Sequence, residues 1–144
     1  MGFSDYRTCS QCGTQNRIPA KHLASTGRCG SCQAPLPPRS TPIEVDTAAF
    51  DDIVANSKAP VFVDFWAAWC GPCTIAAPEV EALARETAGQ AVVLKVDTER
   101  NQGLSARLQI RSIPLFMVFP DGRPVFQQAG VAPRSEMRKW LGLS

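Results

Sequence analysis

All six cysteines of the chain fall into Cys-x-x-Cys pairs: Cys9 with Cys12, Cys29 with Cys32, and Cys70 with Cys73. At this spacing one turn of chain brings two sulfurs together, as ligands to one metal ion or as a reversible disulfide. What each pair does depends on its surroundings. Cys70-Gly71-Pro72-Cys73 follows an apolar run, Val61 to Trp66, and opens a helical pattern. A helix N-terminus carries partial positive charge and free N–H groups, which stabilise a thiolate. Cys70, at the exposed outer end, is therefore expected to be the attacking thiolate and Cys73, one turn inward, the resolving thiol of a disulfide exchange. In isolation the pair could also be half of a metal site or two core cysteines; the strand-to-helix junction argues against both. Gly71-Pro72 carries no cation to stabilise the thiolate further, so the pair is expected to favour reducing other disulfides.

The other four cysteines form a second constellation. Sixteen residues separate Cys9-x2-Cys12 from Cys29-x2-Cys32, the spacing of a four-thiolate zinc ribbon. Each pair would sit on a tight turn, with Gly13 and Gly30 supplying flexible backbone, and the two turns would close a tetrahedral sulfur site for one Zn(II) per chain. Two disulfides, or iron in the same geometry, are the alternatives. Residues 1–33 hold few large apolar groups, so metal binding is expected to supply their folding free energy. The zinc is expected to be structural or redox-responsive, since bound thiolates stay oxidisable. His22 is expected at the surface rather than as a ligand.

Two charged residues lie among apolar ones near the third pair. Asp64 interrupts Val61-Phe62-Val63-Asp64-Phe65-Trp66, and a carboxylate buried there is costly unless paired or protonated. Asp64 is expected to carry protons to and from Cys73, through a water. Lys95, in Leu94-Lys95-Val96, is its expected charge partner. The alternatives are an Asp on a solvated strand face and an edge-strand lysine.

The elements that must position these groups can be read from periodicity. Phe50, Ile53 and Val54 predict a helix over 47–57 behind an Asp46 or Thr47 cap. Residues 61–66 and 92–96 read as buried strands, and a helix runs from Cys73 to about Thr87 with Pro78 inside it. Leu104 and Leu108 suggest a short helix. Residues 115–119 and 124–128 around Pro120-Asp121-Gly122 predict a hairpin, and Met137, Trp140 and Leu141 a closing helix. Strands separated by helices, then a hairpin, imply an α/β fold: a mixed central sheet flanked by helices on both faces. Four prolines within residues 34–42 predict an extended, semi-rigid spacer. The expected division is a zinc-ribbon module (1–33), a Pro-rich linker (34–42) and an α/β domain (43–144).

Hydrophobic content of 44% and charged content of 19% suit a globular chain, and no stretch approaches the ~20 apolar residues of a membrane span. The first residues lack an apolar signal core, so a cytoplasmic monomer is expected. Residues 1–40 carry Arg7, Arg17, Lys21, Arg28 and Arg39 against Asp5 alone. Dispersed cations of this kind are expected to form a solvated surface, not a nucleic-acid site.

Val63-Asp64-Phe65-Trp66-Ala67-Ala68-Trp69-Cys70-Gly71-Pro72-Cys73 resembles the active-site segment of the thioredoxin family. Pro114, 41 residues after Cys73, matches the family's cis-proline; Pro78, Gly122 and Gly130 match its helix-kinking proline and late glycines. The resemblance covers about residues 43–144; with the amino-terminal cysteines it resembles the zinc-containing thioredoxin 2 type over the whole chain. It implies the thioredoxin fold, with Pro114 cis and facing the cysteine pair. The Ile113 backbone would hold an extended substrate segment, and Trp69, Gly71, Pro72 and Val131 would form the contact surface. It implies protein-disulfide reductase activity on disulfide-containing proteins, no organic cofactor, and recharging by thioredoxin reductase. Thr74 and Leu115 depart from the family pattern near the site, where they could alter substrate preference. The competing expectation is a zinc-ribbon partner-binding protein, or a redox-controlled holdase, with the second domain as scaffold.

Overall fold

The protein is described by a computed structural model over residues 2–143. Its amino-terminal part is two short hairpins, each bent around a cysteine pair. Strand β1 (Ser4–Thr8) pairs antiparallel with β2 (Gln15–Pro19) around Cys9 and Cys12. Strand β3 (Gly27–Arg28) pairs with β4 (Pro35–Leu36) around Cys29 and Cys32.

The remainder is a five-stranded mixed sheet. In chain order its elements are β5 (Ile43–Glu44), α1 (Thr47–Asn56), β6 (Val61–Trp66), α2 (Gly71–Glu86), β7 (Val92–Asp97), α3 (Gln102–Arg107), β8 (Leu115–Phe119), β9 (Phe126–Ala129) and α4 (Arg134–Trp140). The spatial order is β5-β7-β6-β8-β9. Strands β5, β6 and β7 run parallel, β8 runs antiparallel to β6, and β9 runs antiparallel to β8. This is the mixed sheet predicted from periodicity.

Alternation along the strands divides the core. Val61, Val63 and Phe65 of β6 pack with Phe50 and Ile53 of α1 and Leu104 of α3. Phe62, Val93 and Phe116 point the other way and pack with Val80 and Leu83 of α2 and Met137 of α4. By the same period of two, Asp64 and Lys95 lie on the α2 side. Helix α1 starts where the Asp46 carboxylate accepts the Ala49 N–H at 2.9 Å, a cap worth about 1 kcal/mol. Pro72 occupies the first turn of α2, where its missing N–H has no partner to lose.

Within the segment expected as a spacer, Pro35 and Leu36 belong to the second hairpin. Leu36 is buried in one continuous apolar cluster with Ile18, Ala20 and Leu23 of the module and Ile43, Phe50 and Ile53 of the sheet domain. The Phe3 N–H donates to the Asp52 carboxylate of α1. A module with too few apolar residues for its own core thus shares that of its neighbour. A two-residue strand leaves no periodic signal, so composition alone places Pro35 and Leu36 in the linker.

One of the five amino-terminal cations departs from the expected solvated surface. Arg7 is buried and donates to the carbonyls of Ser25, Leu36, His22 and Leu23, tying both hairpins together. Arg39 pairs with Asp5 at 2.9 Å.

Candidate active site and metal centre

Cys70 is the N-cap of α2, and its sulfur accepts the Cys73 N–H at 3.2 Å. The chain is in the disulfide form, Cys70 joined to Cys73 with Cα atoms 5.3 Å apart. In this form the exposure expected of Cys70 is not seen: Cys70 is 4% exposed and Cys73 6%. The sulfurs are walled in by Ala67, Trp66 and Ile113. The Ile113–Pro114 peptide is cis, and the Ile113 carbonyl oxygen lies 3.7 Å from the Cys70 sulfur. Pro114 is buried at the start of β8, and its carbonyl accepts the N–H of Gly130, whose neighbour Val131 is exposed. Trp69 stands 69% exposed beside the exposed Gly71 and Pro72.

Ile75 is exposed two residues after Cys73, an apolar patch that the helical pattern did not single out, since it lies off the core stripe of α2. Of the two departures from the family pattern, Thr74 borders the cleft next to Cys73, whereas Leu115 turns into the core on the α1 side, away from the cysteines.

Asp64 is 1% exposed, and its Oδ1 has no hydrogen-bond partner. Burial pushes its carboxyl up to about 7; the nearby Lys95 charge opposes the shift and Glu44 adds to it. Lys95 is in register with Asp64 on the adjacent parallel strand, but makes no ion pair with it among the described residues. Its ammonium lies 4.9 Å over the Trp66 ring instead. Lys95, Trp66, Thr74 and Cys73 line a cleft of about 170 Å3, which reaches the inner cysteine beneath α2.

This burial has a consequence for stability. Between pH values of about 4 and about 7 the folded chain holds a proton on Asp64 that the unfolded chain has released, so stability falls as pH rises through that window and levels off above it. The interval from 3.8 to about 7 corresponds to about 4 kcal/mol. Asp64→Asn is therefore expected to flatten the fall and to be more stable than the parent by up to that amount above neutral pH. Denaturant titrations from about pH 5 to about pH 9 measure it; parallel curves for parent and variant would contradict the burial argument.

The four amino-terminal cysteines converge. Their sulfurs all lie within 4.8 Å of one another, with Cys9–Cys32 and Cys12–Cys29 each at 3.6 Å. Four Zn–S bonds of about 2.3 Å in a tetrahedron place sulfurs about 3.8 Å apart, so the cluster fits a four-thiolate zinc site. Backbone N–H groups of Gln11 and Ser31 point at the Cys9 and Cys29 sulfurs at 3.4 Å. N–H groups of Cys32 and Ser31 hold the Cys29 thiol down to about 6, while Cys32 is pushed up to about 12 with the Cys9 sulfur raising it, so the clustered thiols do not ionise together until a metal takes up their charge. The turns close alike: Gly13 N–H to the Cys9 carbonyl, and Gln33 N–H to the Cys29 carbonyl, both 2.9 Å. Gly13 and Gln33, the residues that follow each pair, have φ of 79° and 68°, so both turns end in a left-handed residue. His22 lies outside the cluster.

Residues 41–142 match the thioredoxin family model, and residues 8–34 match that of the thioredoxin 2 N-terminal zinc ribbon. Thioredoxin C-3 of Corynebacterium nephridii is 38% identical over 133 residues, covering 92% of this chain and 90% of that one. Thioredoxin 1 of Chlorobaculum tepidum is 43% identical over 89 residues, 62% of this chain and 88% of the relative. Among solved structures, a chloroplastic thioredoxin z superposes with a TM-score of 0.67 at 30% identity, covering 71% of this chain and 92% of its own. Helix-capped cysteines, a cis-proline opposite them and a four-thiolate ribbon, together with these matches, place the chain in the thioredoxin family of thiol–disulfide oxidoreductases, with the zinc-ribbon extension of the thioredoxin 2 type.

Proposed function

We propose that the chain reduces disulfides of other proteins through Cys70 and Cys73, with Zn(II) held by Cys9, Cys12, Cys29 and Cys32 as a structural element. The observation that carries this reading is the placement of the Cys70 sulfur at the N-terminus of α2, accepting the Cys73 N–H and facing the Ile113 carbonyl. The Cys70 thiolate attacks one sulfur of a substrate disulfide. A Cys70–substrate bond forms, the substrate's S–S bond breaks, and its other sulfur leaves as a thiolate that takes up a proton. The Cys73 thiol loses its proton and attacks Cys70, forming the Cys70–Cys73 disulfide and releasing the second substrate thiolate. Two electrons pass from the dithiol to the substrate.

Asp64 serves this second step. Above about pH 7 it is the carboxylate that accepts the Cys73 proton through a water, and below that pH it is already protonated. Asp64→Asn is expected to slow reduction most on the alkaline side. Lys95 tempers the charge that Asp64 then carries. The Ile113 backbone, with exposed Trp69, Gly71, Pro72 and Val131, supplies the surface on which an extended substrate segment lies.

Zinc contributes cross-linking of the two hairpins and takes no part in the exchange. The electron donor is thioredoxin reductase, and the chain works as a cytoplasmic monomer; no described helix is long and apolar enough to cross a membrane. Insulin reduction coupled to NADPH through thioredoxin reductase tests the reading. Turnover that disappears on loss of Cys70 supports it. An intact chain, reduced beforehand, that leaves insulin disulfides untouched would end it.

A further inference from the structure

Three charged residues form one row across the sheet. Glu44 of β5 is in register with Lys95 of β7, and Lys95 with Asp64 of β6. Their neighbours Ile43, Leu94 and Val63 point into the α1 side of the core, so all three charged side chains belong to the α2 side. Adjacent strands are about 4.8 Å apart, so the lysine position stands between two carboxylate-bearing positions. The Lys95 charge acts on both carboxylates at a distance, and neither forms an ion pair with it among the described residues.

Glu44 has a second hold on this row. Its Oε2 accepts the Trp66 indole N–H at 3.2 Å, and the Lys95 ammonium rests over the ring of the same tryptophan. Trp66 stands between two clefts. One, of about 170 Å3, it shares with Lys95 and Cys73; the other, of about 630 Å3, it shares with Glu44, Asp97 and Arg100. Glu44 thus links a solvent-open cleft to the residues beneath the inner cysteine. The charged groups facing Asp64 are Lys95 and Glu44, and Cys73 of α2 lines the cleft that Lys95 and Trp66 also line. Those facing Glu44 are Lys95, Asp97 and Arg100, and Asp46 lines the same cleft.

We infer that Glu44 is a positioning residue for disulfide reduction: by fixing Trp66 and competing for Lys95, it governs how readily Asp64 releases its proton to serve Cys73. This rests on the reductase reading above. The electrostatics run in the required direction, since the Glu44 charge raises the proton affinity of Asp64 and Lys95 lowers it. Glu44 is exposed, and partial desolvation holds its carboxyl above its ordinary range. With Glu44 neutral, Lys95 acts on Asp64 alone.

The test is Glu44→Gln in the full zinc-loaded chain. Glutamine keeps an oxygen for the indole and removes the charge. In the oxidised protein, the Asp64 carboxyl carbon resonance followed against pH should show its midpoint lowered by roughly half a unit or more. Lys95→Met should move the same midpoint upward. In insulin reduction, the pH at which the rate rises should shift down with Glu44→Gln, and Asp64→Asn should remove that shift in either background. A merely structural role for Glu44 would change the rate without moving the midpoint. An Asp64 midpoint unchanged in Glu44→Gln overturns the inference. The resonance measurement needs no turnover, so a chain that fails to reduce insulin would defeat the reductase reading without deciding this one.

Discussion

Cys70→Ser will abolish insulin reduction, while Cys73→Ser will convert the protein into a trap. The two outcomes differ because the two sulfurs do different work. The first removes the nucleophile that sits at the N-terminus of α2, where the Cys73 N–H and the helix field stabilise negative charge. A serine hydroxyl there does not ionise near neutral pH, so no bond to substrate sulfur forms. The second leaves attack intact and removes resolution, so mixed disulfides on Cys70 accumulate under non-reducing conditions and disappear when a thiol is added. Intact mass spectrometry after mixing the reduced variant with insulin reads the adduct directly. Steady turnover by Cys73→Ser at the parental rate would reverse the assignment. Both sulfurs are nearly equally covered in the disulfide form, so exposure does not assign the roles. The assignment comes from position along the helix and from the contact between Cys70 and Ile113.

Removing zinc should unfold the amino-terminal module and cost the rest of the chain part of its stability. Structural zinc in small modules contributes on the order of 10–16 kcal/mol of apparent binding free energy, far more than two short hairpins can supply otherwise. Strands of two residues, β3 and β4, hold Cys29 and Cys32 in place, and Arg7 bridges the hairpins only while both persist. The module also covers Ile43, Phe50 and Ile53 with Ile18, Ala20, Leu23 and Leu36, so its loss uncovers one end of the α1 side of the core. Chelator-stripped protein is expected to show fast amide exchange over residues 2–36 and a Tm several degrees lower, yet to retain disulfide reduction, because no residue of the exchange mechanism lies in the module. Cys9→Ser should reproduce the effect without chelator. Stripped protein with parental exchange rates and Tm would mean that the ribbon folds without its metal.

Much of the site was legible because it rests on local pattern. The strand ending at Trp66 and the helix from Gly71 follow from runs of apolar residues and their period. The burial of Asp64 follows from its being the only polar residue among five apolar neighbours. The ribbon spacing carries its own geometry, since a tetrahedral sulfur site needs two tight turns and some connecting chain. Other features left no local trace. Glu44 reads as an ordinary acid in an extended segment, and only strand register shows that it faces Lys95. Arg7 counts as one more surface cation until both hairpins close around it.

The amino-acid sequence by itself determined the chemistry available to this protein: two thiols at a strand-to-helix junction, four more at ribbon spacing, and a carboxylate within a hydrophobic strand. These are properties of neighbours along the chain, set by backbone period, helix termini and residue type. Only the tertiary structure decided how the pieces meet. It brought Ile113, 43 residues away, against the Cys70 sulfur, and it docked the ribbon on α1 through a shared core. It also placed one lysine between two carboxylates in a row across three strands. The physical reason is that sheet register and module docking are settled by burying apolar surface between segments far apart in sequence. The groups that such burial carries together need have no pattern of their own.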